Sequence, residues 1–184
     1  MDEYKYLLFI AVLGSEQVGK KSLAKSKFLE NPSDLDYMVT IGMEFSTKTV
    51  EIDEIVVKLL FRIFSHSKYR WDRTRKGNLE IHLRHSHGAI ILYDVTNSKS
   101  IEQIPQWIQI VKDNAGDIPI LLVGNKLDLE QRREVTKEQI ETIKNEHNIA
   151  ASMKISAKTG ENVEKMIMVL SRMILQNLHI TYEK

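Results

Sequence analysis

The 184-residue chain carries 26 Lys and Arg against 25 Asp and Glu, for a net charge of +1, and 42% of its residues are hydrophobic while 28% are charged. That balance describes one globular domain, 1–184, long enough to bury a core. With no cysteine, the chain has no disulfide, thiolate metal site, cysteine nucleophile, or prenyl or palmitoyl anchor. The longest apolar run, Leu7 to Leu13, is too short to span a bilayer, and no secretory signal is visible. A cytoplasmic protein is expected, with any contact to a membrane peripheral and made without a lipid anchor in this chain.

Apolar strand-like runs alternate with helical ones, which predicts a doubly wound α/β sheet. The first strand, 5–13, leads into Gly14-Ser15-Glu16-Gln17-Val18-Gly19-Lys20-Lys21-Ser22 and then a helix over 20–30. A glycine-rich turn between a strand and a helix start lets backbone N–H groups converge on a phosphate, with Lys20 reaching the terminal phosphates as a point charge. The next strands, 43–52 and 55–64, are separated by Asp53-Glu54, so they should pair as an antiparallel hairpin at the sheet edge. Helices follow at 76–85, 99–114, 136–147 and 161–177, interleaved with strands at 88–93, 118–124 and 151–155. Ile101, Ile104, Trp107, Ile108 and Val111 form one apolar stripe, and Val163, Met166, Ile167, Leu170 and Ile174 another; both belong to the core.

A second motif selects the nucleotide. Asn125-Lys126-Leu127-Asp128 ends the apolar run Ile120 to Val123, at the end of a strand where open α/β sheets place ligands. The carboxylate of Asp128 suits the N1–H and exocyclic amine of guanine, and adenine would leave it unpaired. The stem of Lys126 can lie on the base, and Asn125 can tie this loop to the phosphate loop. Ser156-Ala157-Lys158, after the short last strand, offers a backbone N–H to the guanine oxygen, and Thr40 sits just before the second strand.

With these residues in this order, the chain resembles the Ras-type small GTPases, most closely the Rab branch. Thr40-Ile41-Gly42-Met43-Glu44-Phe45 and Tyr93-Asp94-Val95-Thr96 are the Rab-like phrases, and the likeness covers nearly the whole chain. It implies a P-loop G domain with a six-stranded, mostly parallel sheet, one antiparallel edge strand and about five helices. It also implies binding of GTP and GDP by residues 14–22, Thr40, Asn125, Lys126, Asp128 and 156–158, and a switch that changes partners with the bound nucleotide. Where magnesium binds, Thr40 would be a ligand. Effector or regulator proteins would meet residues 33–45 and 62–87.

The departures from that pattern bear on chemistry. Lys21 stands where the family has the magnesium-holding Ser or Thr, and moving the ligand to Ser22 would rotate it by about 100° around the helix. The Lys21 ammonium either takes the place of the metal beside the β and γ phosphates or bends into solvent. The family's Asp-x-x-Gly-Gln after the third strand, which places a second-shell aspartate, a phosphate-binding N–H and a water-orienting glutamine, is not recovered in 61–75. Aligning on Trp71-Asp72 puts Arg75 at the glycine and Lys76 at the glutamine, and aligning on Lys58-Leu59 puts Ile63 at the aspartate. Glu16 and Gln17 replace small residues beside the terminal phosphate, and Ser33 replaces an aromatic that covers the base. The catalytic residues are therefore unknown, and hydrolysis is expected to be slow or absent. A pseudo-GTPase scaffold for protein interactions and a GTPase completed by a partner are the alternatives.

Residues 62 to 87 hold seven Lys or Arg against two acids, leaving nineteen against twenty-three elsewhere. This is a solvated face, or a surface for an acidic protein or anionic membrane. Nucleic acid is not expected, because no aromatic recognition module accompanies the charge. His82, His85 and His87 have metal-like spacing but no carboxylate or cysteine partners, so no zinc site is expected there.

Overall fold

The computed structural model describes residues 4–30, 43–64 and 76–180. In chain order the elements are β1 (Tyr6–Gly14), α1 (Lys20–Ala24), β2 (Met43–Ile52), β3 (Ile55–Phe64), α2 (Lys76–Arg84), β4 (Gly88–Asp94), α3 (Ile104–Ala115), β5 (Ile120–Asn125), α4 (Lys137–His147), β6 (Ala151–Lys154) and α5 (Val163–Asn177). The six strands form one sheet in the order β2-β3-β1-β4-β5-β6. Among these strands, four neighbouring pairs are parallel and the β2–β3 pair is antiparallel. Its two-residue connection places Asp53 at φ 48° and Glu54 at φ 66°, the left-handed pair that a tight hairpin of the right twist requires.

Because side chains alternate across a strand, β1 feeds two core layers. Leu8, Ile10 and Val12 pack with α1 and α5, whereas Ala11 and Leu13 pack with α2, α3 and α4. Both predicted helix stripes lie in these layers, the first under α3 and the second along α5. Gly88 opens β4 where any Cβ would sit 2.6 Å from Ile174 Cδ1, so α5 rests directly on the strand backbone. Among the described residues, no helix is long and apolar enough to cross a membrane.

Several boundaries differ from the sequence expectation, and three have a visible cause. The helix predicted over 20–30 stops at Ala24. The Ser46 hydroxyl of β2 donates to the Ala24 carbonyl at 3.0 Å, and the chain then runs through turns to Glu30, which pairs with Thr47 through two backbone hydrogen bonds. The run over 99–114 divides into a 3₁₀ turn, Ser98–Ile101, and α3. Pro105 lies in the first turn of α3, where its missing N–H is harmless but where it ends any helix arriving from before. β5 begins at Ile120 rather than at 118, because Pro119 has no donor for the ladder.

Candidate nucleotide-binding site

The carboxyl ends of β1, β4 and β5 converge on the phosphate loop. β1 turns at Gly14, with φ 140° and no room for a Cβ, which would lie 2.3 Å from the Leu92 carbonyl oxygen. Gln17 and Gly19 also take positive φ, 61° and 96°, and Val18 turns inward to the core. Ser15 Oγ donates to Gln103 Oε1 at 3.1 Å, fastening the loop to the segment just before α3. Lys20 is buried, and its ammonium donates to the carbonyls of Gly14 at 2.7 Å and Ser15 at 2.6 Å. An ammonium has three N–H bonds, so one remains for an incoming oxyanion. Burial lowers the Lys20 pKa to about 8, opposed by the exposed carboxylate of Glu16. The buried ammonium is therefore poorly solvated, and a phosphate group beside it would favour its charged form.

Asn125 joins this loop to the base-side loops. It is 2% exposed, and its Nδ2 donates to the Val18 carbonyl at 2.9 Å while its Oδ1 accepts from the Ala157 N–H at 2.9 Å. A Cβ at Gly19 would lie 2.1 Å from Asn125 Nδ2, so the glycine makes room for the clamp. Of the segment Ser156-Ala157-Lys158, expected to offer a backbone N–H to the guanine oxygen, the Ala157 N–H holds its own loop to Asn125. Asp128 Oδ1 accepts from the Ser156 hydroxyl at 2.6 Å, and Ser156 Oγ accepts from the Thr159 N–H at 3.1 Å. That chain of hydrogen bonds fixes one oxygen of Asp128 and leaves the other for a ligand. Lys158 is exposed. Phe28 packs against Gly160, where a Cβ would lie 2.1 Å from the ring, bracing the loop that holds Ser156.

Lys126 adopts a left-handed conformation at φ 69°, and its ammonium binds Asp94 Oδ2 at 2.6 Å. Asp94 Oδ1 accepts from the N–H and hydroxyl of Thr96 at 2.9 and 2.8 Å. Burial would raise the Asp94 pKa, but the bonds from Lys126 and Thr96 outweigh it and hold the carboxyl below its usual range. Tyr93-Asp94-Val95-Thr96 stands out in the sequence as a phrase, but the ion pair that Asp94 makes with Lys126 comes only from the fold.

The metal side looks different. Lys21 is 65% exposed, and its ammonium lies 3.3 Å from Glu44 Oε1 on β2. Ser22 is exposed as well. β3 runs parallel to β1 with Ile63 opposite Val12, and Ile63 is 1% exposed in the core. Among the described residues, an ammonium thus stands at the position of the family's hydroxyl ligand, and on the alignment through Lys58-Leu59 an isoleucine stands at the aspartate; neither side chain offers an oxygen to an octahedral magnesium ion. Among the described residues, no three His, Cys, Asp or Glu gather to hold a metal. Thr40, Ser33, Trp71, Asp72 and Arg75 lie outside the described residues.

The model of the Ras family matches residues 9–176. The chain belongs to the Ras family. Among its relatives, Ras-related protein Rab-1 of Theileria parva is 36% identical over 174 residues, covering 94% of this chain and 76% of the relative. Ras-related protein Rab-13 of Rattus norvegicus is 34% identical over 177 residues, 94% of this chain and 82% of the relative. Human Ras-related protein Rab-8B is 30% identical over 178 residues, 96% and 82%. Membership makes the chain a Rab-like small GTPase, and it implies binding of GTP and GDP and encounters with regulator or effector proteins in general. The six-stranded sheet with one antiparallel strand is the G-domain architecture expected from sequence.

Proposed function

We propose that this Ras-family chain is a guanine-nucleotide switch that hydrolyses GTP slowly or not at all by itself and depends little on magnesium. The observation that carries the nucleotide assignment is Asn125, which ties Val18 of the phosphate loop to Ala157 of the base-side loop and so keeps Lys20 and Asp128 in one site. On this proposal Lys20 binds the terminal phosphates with its remaining N–H, and Asp128 accepts from the guanine edge with its free oxygen. Lys126 packs its stem along the base while Asp94 holds its ammonium.

The magnesium proposal rests on Lys21 and Ile63. An exposed ion pair such as Lys21–Glu44 contributes less than about 1 kcal/mol. Triphosphate oxygens would therefore outcompete Glu44 for the ammonium, which then supplies one positive charge in place of two. Slow hydrolysis follows from Glu16 and Gln17 beside the phosphate and from Ile63 at the end of β3, since positioned water and preorganised donors supply most of the acceleration in phosphoryl transfer. We assign effector or regulator contact to residues 33–45 and 62–87, with a peripheral anionic membrane or acidic partner at the basic stretch and a cytoplasmic location. The test of the metal assignment is nucleotide dissociation with and without chelator. Chelator should barely change the rate for this chain, and Lys21→Ser should make it metal-sensitive in part. Prompt release on chelation from the unaltered protein would show that Lys21 does not stand in for the ion.

A further inference from the structure

A second cationic site lies away from the phosphate loop. Phe9 comes five residues before Gly14 on β1, roughly 17 Å back along the strand. The Arg62 guanidinium of β3 lies 4.1 Å from the centre of the Phe9 ring. The His87 ring stacks on Phe9 with centroids 5.6 Å apart and planes at 24°. His87 is also pinned by its backbone. Its N–H donates to the Phe9 carbonyl at 2.8 Å, and its Nδ1 accepts from the Phe9 N–H at 2.9 Å. With Nδ1 accepting, the ring proton sits on Nε2, which is left as a donor. Arg62 gives one N–H to the His82 carbonyl at 2.7 Å, out of the five its guanidinium carries.

These side chains, with the exposed Arg84 and His85 from the end of α2 and with Ser86, line a cavity of about 590 Å³. Among the described residues, no Asp or Glu pairs with Arg62 or Arg84. Burial, and then the charge of Arg62, holds the pKa values of His82 and His87 down, and His85 adds to the effect on His87. Among the described residues, the charges that act on those two rings are thus positive, in a chain whose net charge is only +1. Such a convergence of cationic groups favours an anion that would neutralise it.

We propose that Arg62, Arg84, His85 and His87, arranged around Phe9, form an anion site that takes a phosphomonoester group. A single guanidinium fork satisfies a planar carboxylate, whereas donors from two guanidinium groups on β3 and α2 and two imidazoles on the turn between α2 and β4 suit a tetrahedral dianion. The cavity exceeds a bare phosphate in size, so the body of the ester fits with it. The ester is a soluble metabolite or the headgroup of a phosphorylated lipid. The site depends on neither Lys20 nor Asp128, and it stands whether or not the nucleotide proposal holds.

The test follows the His85 and His87 imidazole signals by NMR as inositol monophosphate is added, with inositol as the control. The titration is run with excess GDP present, so that the phosphate loop is already occupied and a response at these rings reports the second site. Inositol monophosphate should move both signals saturably and inositol should not. Arg84→Gln, at an exposed position that leaves the core untouched, should weaken the response roughly tenfold by removing a charge-assisted contact. Flotation with phosphatidylcholine vesicles, with and without a phosphatidylinositol phosphate, then separates the sources. Capture only by the phosphorylated vesicles, lost in Arg84→Gln, assigns a lipid headgroup; saturable signals without capture assign a soluble ester. Signals that ignore both probes, or responses equally strong in Arg84→Gln, would overturn the site.

Discussion

Replacing Asn125 by alanine removes a side chain that bonds to both ligand loops. Its two hydrogen bonds, at 2.9 Å each, are worth about 1 kcal/mol apiece in net terms. The Val18 carbonyl and the Ala157 N–H would also be left without partners in a position now 2% exposed, and stranded buried groups cost about 1–3 kcal/mol each when water cannot reach them. Partial hydration recovers some of this, so the expected destabilisation is about 2–4 kcal/mol, a large share of the roughly 5–15 kcal/mol that holds a domain together. In urea the midpoint should fall by roughly 1–2 M with little change in slope. Asn125→Asp sharpens the test, because it keeps the acceptor for Ala157 but turns a carboxylate oxygen onto the Val18 carbonyl. It should destabilise by at least as much and weaken nucleotide binding further. If both variants unfold within about 0.5 kcal/mol of the parent, the ordinary range for surface substitutions, Asn125 is not the clamp described.

Other substitutions probe single contacts. Asp128→Ala should weaken GDP binding by about 2–4 kcal/mol through loss of two charge-assisted hydrogen bonds, with a much smaller effect on urea stability; equal binding by calorimetry would refute its role. Gly19→Ala should destabilise by roughly 1–3 kcal/mol, because φ is 96° and the new Cβ would meet Asn125 Nδ2; an unchanged urea midpoint would contradict the geometry. The Lys20 pKa of about 8 lies below its unfolded value of 10.5. The unfolded chain therefore binds more protons between those values, and the stability of the ligand-free protein should rise with pH across that window. Nucleotide affinity should move the other way, level below pH 8 and falling by up to about tenfold per unit above it, because phosphate favours the ammonium; calorimetry in buffers of different ionisation heat would detect the proton uptake. Single-turnover GTP hydrolysis by the isolated protein should fall well below that of its Ras-family relatives, and an equal rate would remove the argument from Glu16 and Ile63.

The sheet and its helices were legible because they follow from periodicity. Alternation along 43–52 and 55–64 points to the hairpin, and the stripes at Ile104 to Val111 and Val163 to Ile174 fall on the buried faces of α3 and α5, with Ile101 buried in the turn before α3. Boundaries were less visible where another segment decides them. No local pattern announces that the Ser46 hydroxyl caps the Ala24 carbonyl and shortens α1. At the site, glycine spacing and Asn125-Lys126-x-Asp128 located the two loops, since each residue type has a distinct task there. The partners of Lys126 and Lys21 were hidden, because Asp94 and Glu44 reach them across strands whose neighbours only the fold determines. The Arg62–Phe9–His87 cluster escaped for the same reason. Its members are separated by tens of residues and meet only through the β1–β3 and β1–β4 pairings.

The most direct test of the guanine assignment is competition for a fluorescent GDP analogue on the purified protein, with unlabelled GDP, GTP, ADP and ATP as competitors. Asp128, with one oxygen fixed by Ser156, predicts displacement by the guanine nucleotides and none by adenine nucleotides at the same concentration. Displacement by ATP as readily as by GTP, or no binding of the analogue at all, would contradict it.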